Sequence, residues 1–188
     1  AAGSVVDLFA EAKLNHHARE VCGGLLADES AQRLKDFFSR KRDAAKAVQS
    51  AFKVKTATWP DDNATLKSIR FEVFVDEQKV PAESEVDEHD PRSIHAIAWA
   101  DGVAAGCGRL LPDGHIGRMA VRKPFRGQGV GAALLVHLIE RARQRGDDQV
   151  VLSAQTHAIG FYEKFGFVVE NGEYLDCDIP HRDMRKIL

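Results

Sequence analysis

The chain of 188 residues has three cysteines, two tyrosines, two tryptophans and a formal charge of -2, and each shortage excludes something. Cys22, Cys107 and Cys177 are too widely spaced to suggest a disulfide framework or a zinc knuckle, so a reducing cytoplasm is the expected setting. A nearly neutral chain has no global electrostatic drive toward nucleic acid. No apolar run suits a bilayer either: the longest, Val130 to Ile139, falls well short of the roughly 20 residues that a spanning helix needs. The N-terminus has no charged-then-apolar secretory pattern, and there is no internal repeat. The histidines show no ligand spacing, so no metal site is expected.

What is present is 44% hydrophobic and 29% charged, enough apolar content for one domain with a core and a small appendage. The pattern changes near residue 52. Before it, Val5, Leu8, Phe9 and Ala12, then Ala31, Leu34, Phe37 and Phe38, recur at helical spacing around Gly23-Gly24, which predicts a helical pair over 1–51. Its basic run "SRKRDAAK" suits a solvated helix end. After it, "FKVKTATW" alternates as a strand does, and Pro60, Asp61 and Asp62 open a helix that runs through Thr65 to Phe74. "SIHAIAWADG" and "VAAGCGRLL" are strands joined at Asp101-Gly102, a hairpin signal. Pro112-Asp113-Gly114 leads into a further strand, "HIGRMAV". Leu134, Leu135, Leu138 and Ile139 form a stripe on a helix over Val130 to Arg145. "QVVLSAQ" reads as a strand covered on both faces. "HAIGFYEKF" is a short helix, and "FVVENGEYLD" carries an Asn171-Gly172 hairpin. The order predicts an α/β (α+β) domain over 52–188 with a mixed sheet.

The chemistry lies in "RMAVRKPFRGQGVGAALLVHLIE". Gly127, Gly129 and Gly131 precede a helix whose first N–H groups lack partners and carry about half a positive charge. Glycines let such a backbone curl around an oxyanion, which suits a phosphate or a diphosphate, and Arg126 adds a full charge beside it. A Walker A loop is excluded because Ala132-Ala133 stand where Lys-Ser/Thr is required. The Rossmann spacing G-x-G-x-x-A is met by Gly127, Gly129 and Ala132, but Pro124, Phe125 and Arg126 interrupt the strand that should run straight into the first glycine.

"RGQGVG", placed after "IGRMAV" and before a long amphipathic helix, resembles the Q/R-x-x-G-x-G/A motif of the GNAT (GCN5-related N-acetyltransferase) superfamily. "VVLSAQTHAIGFYEKFGF" resembles that superfamily's next motif. Together with "IRFEVFVDEQKVP" and "YLDCDIPHRDMRK", they are similar to the bacterial ElaA/YjcF-like branch. The resemblance covers about Phe52 to Leu188. It implies a mostly antiparallel sheet whose fourth and fifth strands splay apart to admit the pantetheine arm of acetyl-CoA. It also implies that the backbone of Met119, Ala120 and Val121 pairs with pantetheine, and that the amides of Gln128, Gly129, Val130 and Gly131 cradle the diphosphate after Gly127. Arg126 would supply charge, and Arg122 or Lys123 could meet the adenosine 3′-phosphate.

The implied reaction is direct acetyl transfer to a primary amine of a small molecule or protein. A lysine-type amine has a pKa of about 10.4 and must lose a proton before it attacks. In such proteins the Tyr of the Phe-Tyr pair is the acid for the departing sulfur, here Tyr162. Glu77 is the first candidate for the base, followed by Glu72, His157 and His181, the last in the branch pattern "DIPH". No cysteine stands in a motif for a covalent intermediate. Asp76 to Asp90 holds seven carboxylates against Lys79 alone, either a solvated loop or an electronegative mouth for a cationic acceptor. The alternative of another class is an acyl-CoA sensor that binds without catalysis. "LADESAQRLKDFFSRKR" is similar to the last helices of crotonase-type acyl-CoA hydratases; otherwise the helical pair is a lid or a homodimer contact.

Overall fold

A computed structural model describes residues 52–188, so the helical pair expected before them lies outside the described residues. The domain begins with β1 (Lys53–Ala57) and α1 (Trp59–Arg70). Thr58 starts α1: its backbone N–H donates to Asp62 (3.0 Å) and its hydroxyl to Asp61 (2.7 Å), which places two carboxylates against the positive end of the helix. The helix does not stop at Phe74 but widens into a π-helical segment, Phe71–Glu77.

A short helix α2 (Ala82–Glu85) follows, and then three strands, β2 (Ile94–Ala100), β3 (Val103–Leu110) and β4 (Ile116–Val121). They form with β1 an antiparallel sheet in the order β1-β2-β3-β4. The β2–β3 turn is made by Asp101 (φ 47°) and Gly102 (φ 80°), the pair of left-handed residues that a tight hairpin demands. The second layer is α3 (Val130–Arg145), ended by Gly146 at φ 91°. Leu134, Leu135 and Leu138, all fully buried, pack on Ala96, Ala98 and Ala105 of the sheet. On the opposite face Leu66, Ile69 and Val73 meet Ile97, Ala104, Cys107 and Ala120. Both faces are therefore covered, which is why β2 and β3 carry so few polar residues.

β5 (Gln149–Gln155) opens a second sheet with α4 (Ile159–Glu163), β6 (Val168–Val169), β7 (Tyr174–Asp176) and β8 (Ile179–Ile187). Here the sequence reading needs correction. The Asn171-Gly172 dipeptide does not join a hairpin: β6 and β7 both pair with one edge of β8, while β5 takes the other. Asn171 instead exchanges hydrogen bonds with Asp183, donating to its carboxylate (2.6 Å) and accepting from its backbone N–H (2.8 Å). The tight turn is Cys177-Asp178, with φ of 49° and 61° and no glycine. β8 is hard to read from the sequence because "IPHRDMRKI" has four charged residues among nine and no apolar alternation; only His181 and Met184 of its side chains are buried.

Candidate active site

The two sheets meet where parallel strands β4 and β5 lie side by side, and they share a single bridge, His115 with Val151. The bridge includes the bond from the Val151 N–H to the Gly114 carbonyl (3.1 Å). Beyond it the edge of β4 has no partner strand along Met119 to Val121, although the Val121 carbonyl accepts from Arg126. A bulge shapes this edge. Gly117 faces Arg109 and Ala120 faces Cys107, so β4 has one residue more than β3 between those pairs, and Arg118 takes φ 49° to absorb it. The bulge brings Met119 over Gly108, where a Cβ would lie 2.6 Å from the Met119 sulfur and 2.8 Å from Leu138, so any larger residue would have to displace those side chains.

At the far end of β4 the chain turns through Lys123–Phe125 into the glycine loop. Gly127 (φ 73°) and Gly129 (φ 90°) are left-handed, a conformation that a side chain resists. They aim the loop so that the first bond of α3 is Ala133 N–H to Gly129 C=O (3.0 Å), and among the described residues the amides of Gly127 to Ala132 meet no backbone acceptor. This is a cup of open donors at a helix N-terminus, the arrangement that binds phosphates. The cup and the split between the sheets adjoin a cleft of about 1240 Å³ lined by Met119, Val121, Arg126, Tyr162 and His181, among others.

A family model described as an acetyltransferase (GNAT) domain matches residues 45–188. The chain belongs to the GNAT acetyltransferases. It is 40% identical over 122 residues to the "uncharacterized N-acetyltransferase YjcF" of Bacillus subtilis, covering 63% of this chain and 87% of that one. Among solved structures, an acyl-CoA N-acyltransferase from Pseudomonas aeruginosa is 36% identical, with a TM-score of 0.65 over 72% of this chain and 99% of the other. Escherichia coli ElaA is 28% identical with the same TM-score and the same coverage. The fold, with its antiparallel sheets parted between β4 and β5, is that of the GNAT acyl-CoA N-acyltransferases, and the chain groups with the ElaA/YjcF-like proteins.

In this GNAT chain two residues that the sequence assigns separate tasks lie together. Arg126 donates through both terminal nitrogens to the two carboxylate oxygens of Glu77 (2.6 and 2.7 Å), and its Nε donates to the Val121 carbonyl (2.9 Å). The hydrogen bonds from Arg126 hold the Glu77 carboxyl below its ordinary value, which makes Glu77 a weaker base than the sequence reading expects. Glu72, another candidate, lies 2.8 Å from Arg122. Arg122 also donates to the Ala104 carbonyl and the Ser68 hydroxyl. Gln128 turns its side chain back to the Pro124 carbonyl (2.8 Å), which leaves its backbone as the part available to a ligand.

Tyr162 and His181 line the same cleft because both depend on the end of β5: His181 is paired with Gln155, and α4 follows that strand after one turn. Tyr162 packs edge-on against Phe161 (5.0 Å) and Phe167 (6.0 Å). Burial pushes its phenol up to about 12, so it stays protonated and can act as an acid. The His181 Nδ1 lies 2.8 Å from the Ile179 carbonyl. A carbonyl can only accept, so the neutral ring carries its proton on Nδ1 and presents Nε2 as an acceptor. Tyr174 stacks on that ring (6.1 Å, 26°), and its hydroxyl donates to Asp183 (2.7 Å). Asp183 also accepts from Ser153 (2.9 Å), so the β7–β8 hairpin that carries His181 is anchored to β5. His157 also lines the cleft but is exposed.

The acidic stretch divides: Asp76, Glu77, Glu83 and Glu88 are exposed, whereas Glu85, Asp87 and Asp90 are drawn inward by arginines. Arg70, wholly buried under Trp59, bonds Glu85 (2.5 Å) and Asp90 (2.7 Å). Arg109 bonds Asp87 (2.7 Å) and Asp90 (2.8 Å), and Arg118 reaches Asp87 (3.3 Å) and the Ser84 carbonyl (3.0 Å). Three carboxylates and three guanidinium groups thus balance, and the segment is drawn onto the sheet as one wall of the cleft. Burial raises the Asp87 carboxyl, but the hydrogen bonds and charge of Arg109 outweigh it and hold the group at about 2. The sequence reading missed Arg109 and Arg118. The clue available was an arginine inside each of two otherwise apolar strands, "GCGRLL" and "IGRMAV". Cys107 is buried, and its thiol is pushed up to about 12, which leaves it inert as a nucleophile.

Proposed function

We propose that the protein is an acetyl-CoA-dependent N-acetyltransferase that acts on a primary amine by direct attack, without a covalent enzyme intermediate. The observation that carries this reading is the parted edge of β4 ending at open amides on the α3 N-terminus, with Tyr162 and His181 lining the same cleft. Pantetheine would add its amides to the free edge of Met119, Ala120 and Val121. The diphosphate would rest on the N–H groups from Gly127 to Gly131, with Arg126 beside them.

The chemistry then follows from the groups in the cleft. Nε2 of His181 takes the proton from the acceptor ammonium. The freed nitrogen attacks the thioester carbon, and a β4 N–H near Met119 stabilises the resulting oxyanion. As the carbon–sulfur bond breaks, the Tyr162 hydroxyl gives its proton to the CoA sulfur; the nitrogen, now bonded to the acetyl carbon, passes its extra proton to the phenolate through water, and the imidazolium releases its proton to solvent. Appearance of CoA thiol from acetyl-CoA across a panel of primary amines, with the acetylated amine identified by mass spectrometry, tests the reading. Tight CoA binding with no turnover on any amine would instead favour a binding module.

A further inference from the structure

The Arg126–Glu77 pair has a bearing on which donors the cleft accepts. Arg126 stands directly before the loop whose amides are open, so an anion resting on Gly127 to Gly131 lies within reach of its guanidinium. Yet three of that group's five N–H donors are engaged, one by Val121 and two by Glu77. Both ends of the pair are accessible at the cleft rim, with side-chain exposures of 39% and 44%. The two partners come from different walls: Glu77 ends the π-helical extension of α1, and Arg126 follows β4. The surrounding charges do not relieve the contest. Glu72, the other carboxylate that acts on Arg126, lies against Arg122, and Lys123 acts on Glu77 from a greater remove than Arg126 does.

We infer that Glu77 is a specificity-determining residue for the acyl donor: its carboxylate and the donor's diphosphate compete for the one guanidinium of Arg126. This rests on the acyl-CoA reading above. A diphosphate brings more negative charge than a carboxylate and is also held by the loop amides, so it can take the guanidinium and leave Glu77 to water. A thioester on a bare pantetheine arm offers no such exchange and leaves the ion pair across the rim. Glu77 thereby weakens the binding of diphosphate-bearing donors alone and narrows the preference of the cleft for them over bare pantetheine thioesters.

The test is a cycle of four affinities for free CoA, measured by calorimetry at low ionic strength, where exposed charges are least screened. The proteins are the wild type, Glu77→Gln, Arg126→Gln and the double variant. An exposed ion pair is worth enough to alter an affinity by about two- to five-fold. Glu77→Gln is expected to tighten CoA binding by that factor in the wild-type background and to change nothing in the Arg126→Gln background. Unchanged or weaker binding by Glu77→Gln overturns the inference. So does equal tightening in both backgrounds, because Glu77 would then act without Arg126. A wild-type protein that takes up no CoA removes the acyltransferase reading itself; CoA binding that ignores Glu77 removes only the competition.

Discussion

His115 pairs with Val151 in a single parallel bridge, and from that point the two sheets separate. The Val151 N–H donates to the Gly114 carbonyl within this bridge, and β4 and β5 share no further pairing. The opening is therefore a feature of the fold itself. Several outcomes depend on that geometry.

Tyr162→Phe should lower turnover about 100-fold or more while CoA affinity stays nearly constant. General acid assistance is typically worth roughly 100- to 10,000-fold, and the substitution keeps the ring that packs on Phe161 and Phe167. Steady-state kinetics beside calorimetry would decide; an unaltered rate takes Tyr162 out of the mechanism.

His181→Gln should slow turnover by about 100-fold at neutral pH, with the deficit shrinking as the pH approaches the roughly 10.4 of a free lysine-type amine. There the acceptor loses its proton unaided. A deficit that stays constant from neutral to alkaline pH would mean that His181 serves the hairpin and not the proton.

Gly129→Asp should weaken CoA binding and also strain the loop. It places a carboxylate in the cup of open amides, and it forces a side chain into φ 90°. Equal CoA affinity, measured by calorimetry on folded protein, would count against the loop as the diphosphate site.

Gly108→Ala should cost about 1–3 kcal/mol of stability, since the new methyl meets the Met119 sulfur and Leu138 at less than van der Waals distance. Because Met119 lines the cleft, the Michaelis constant for acetyl-CoA should rise as well. Thermal melting and kinetics on one preparation would show both effects or dissociate them.

Acid should loosen the cleft wall in a defined window. The Asp87 carboxyl is held at about 2 in the folded protein against an ordinary 3.8. A depressed carboxyl contributes stability that is complete above 3.8 and is lost as the pH falls toward about 2. Asp87→Asn should remove part of the stability difference between pH 5 and pH 2, roughly the range over which such groups titrate. Parallel chemical denaturation curves for the two proteins would reveal it; identical pH dependence would assign the acid sensitivity elsewhere.

The sequence by itself determined the features that depend on near neighbours. The bounds of α3 and β5, the Asp101-Gly102 turn, the loop with its left-handed Gly127 and Gly129, and the placing of Tyr162 on a short helix after β5 all follow from periodicity, glycine conformation and motif order. Tertiary structure decided what depends on partners far apart in the chain. The Glu77 carboxylate meets Arg126 across 49 residues and Arg109 meets Asp87 across 22. β8 becomes a strand because β5, β6 and β7 complete its hydrogen bonds, although four of its nine side chains are charged. A charged residue looks alike in sequence whether water or a guanidinium satisfies it; only the folded arrangement of β3, β4 and the π-helical turn supplies the partner, and with it the difference between an exposed acid and a paired one.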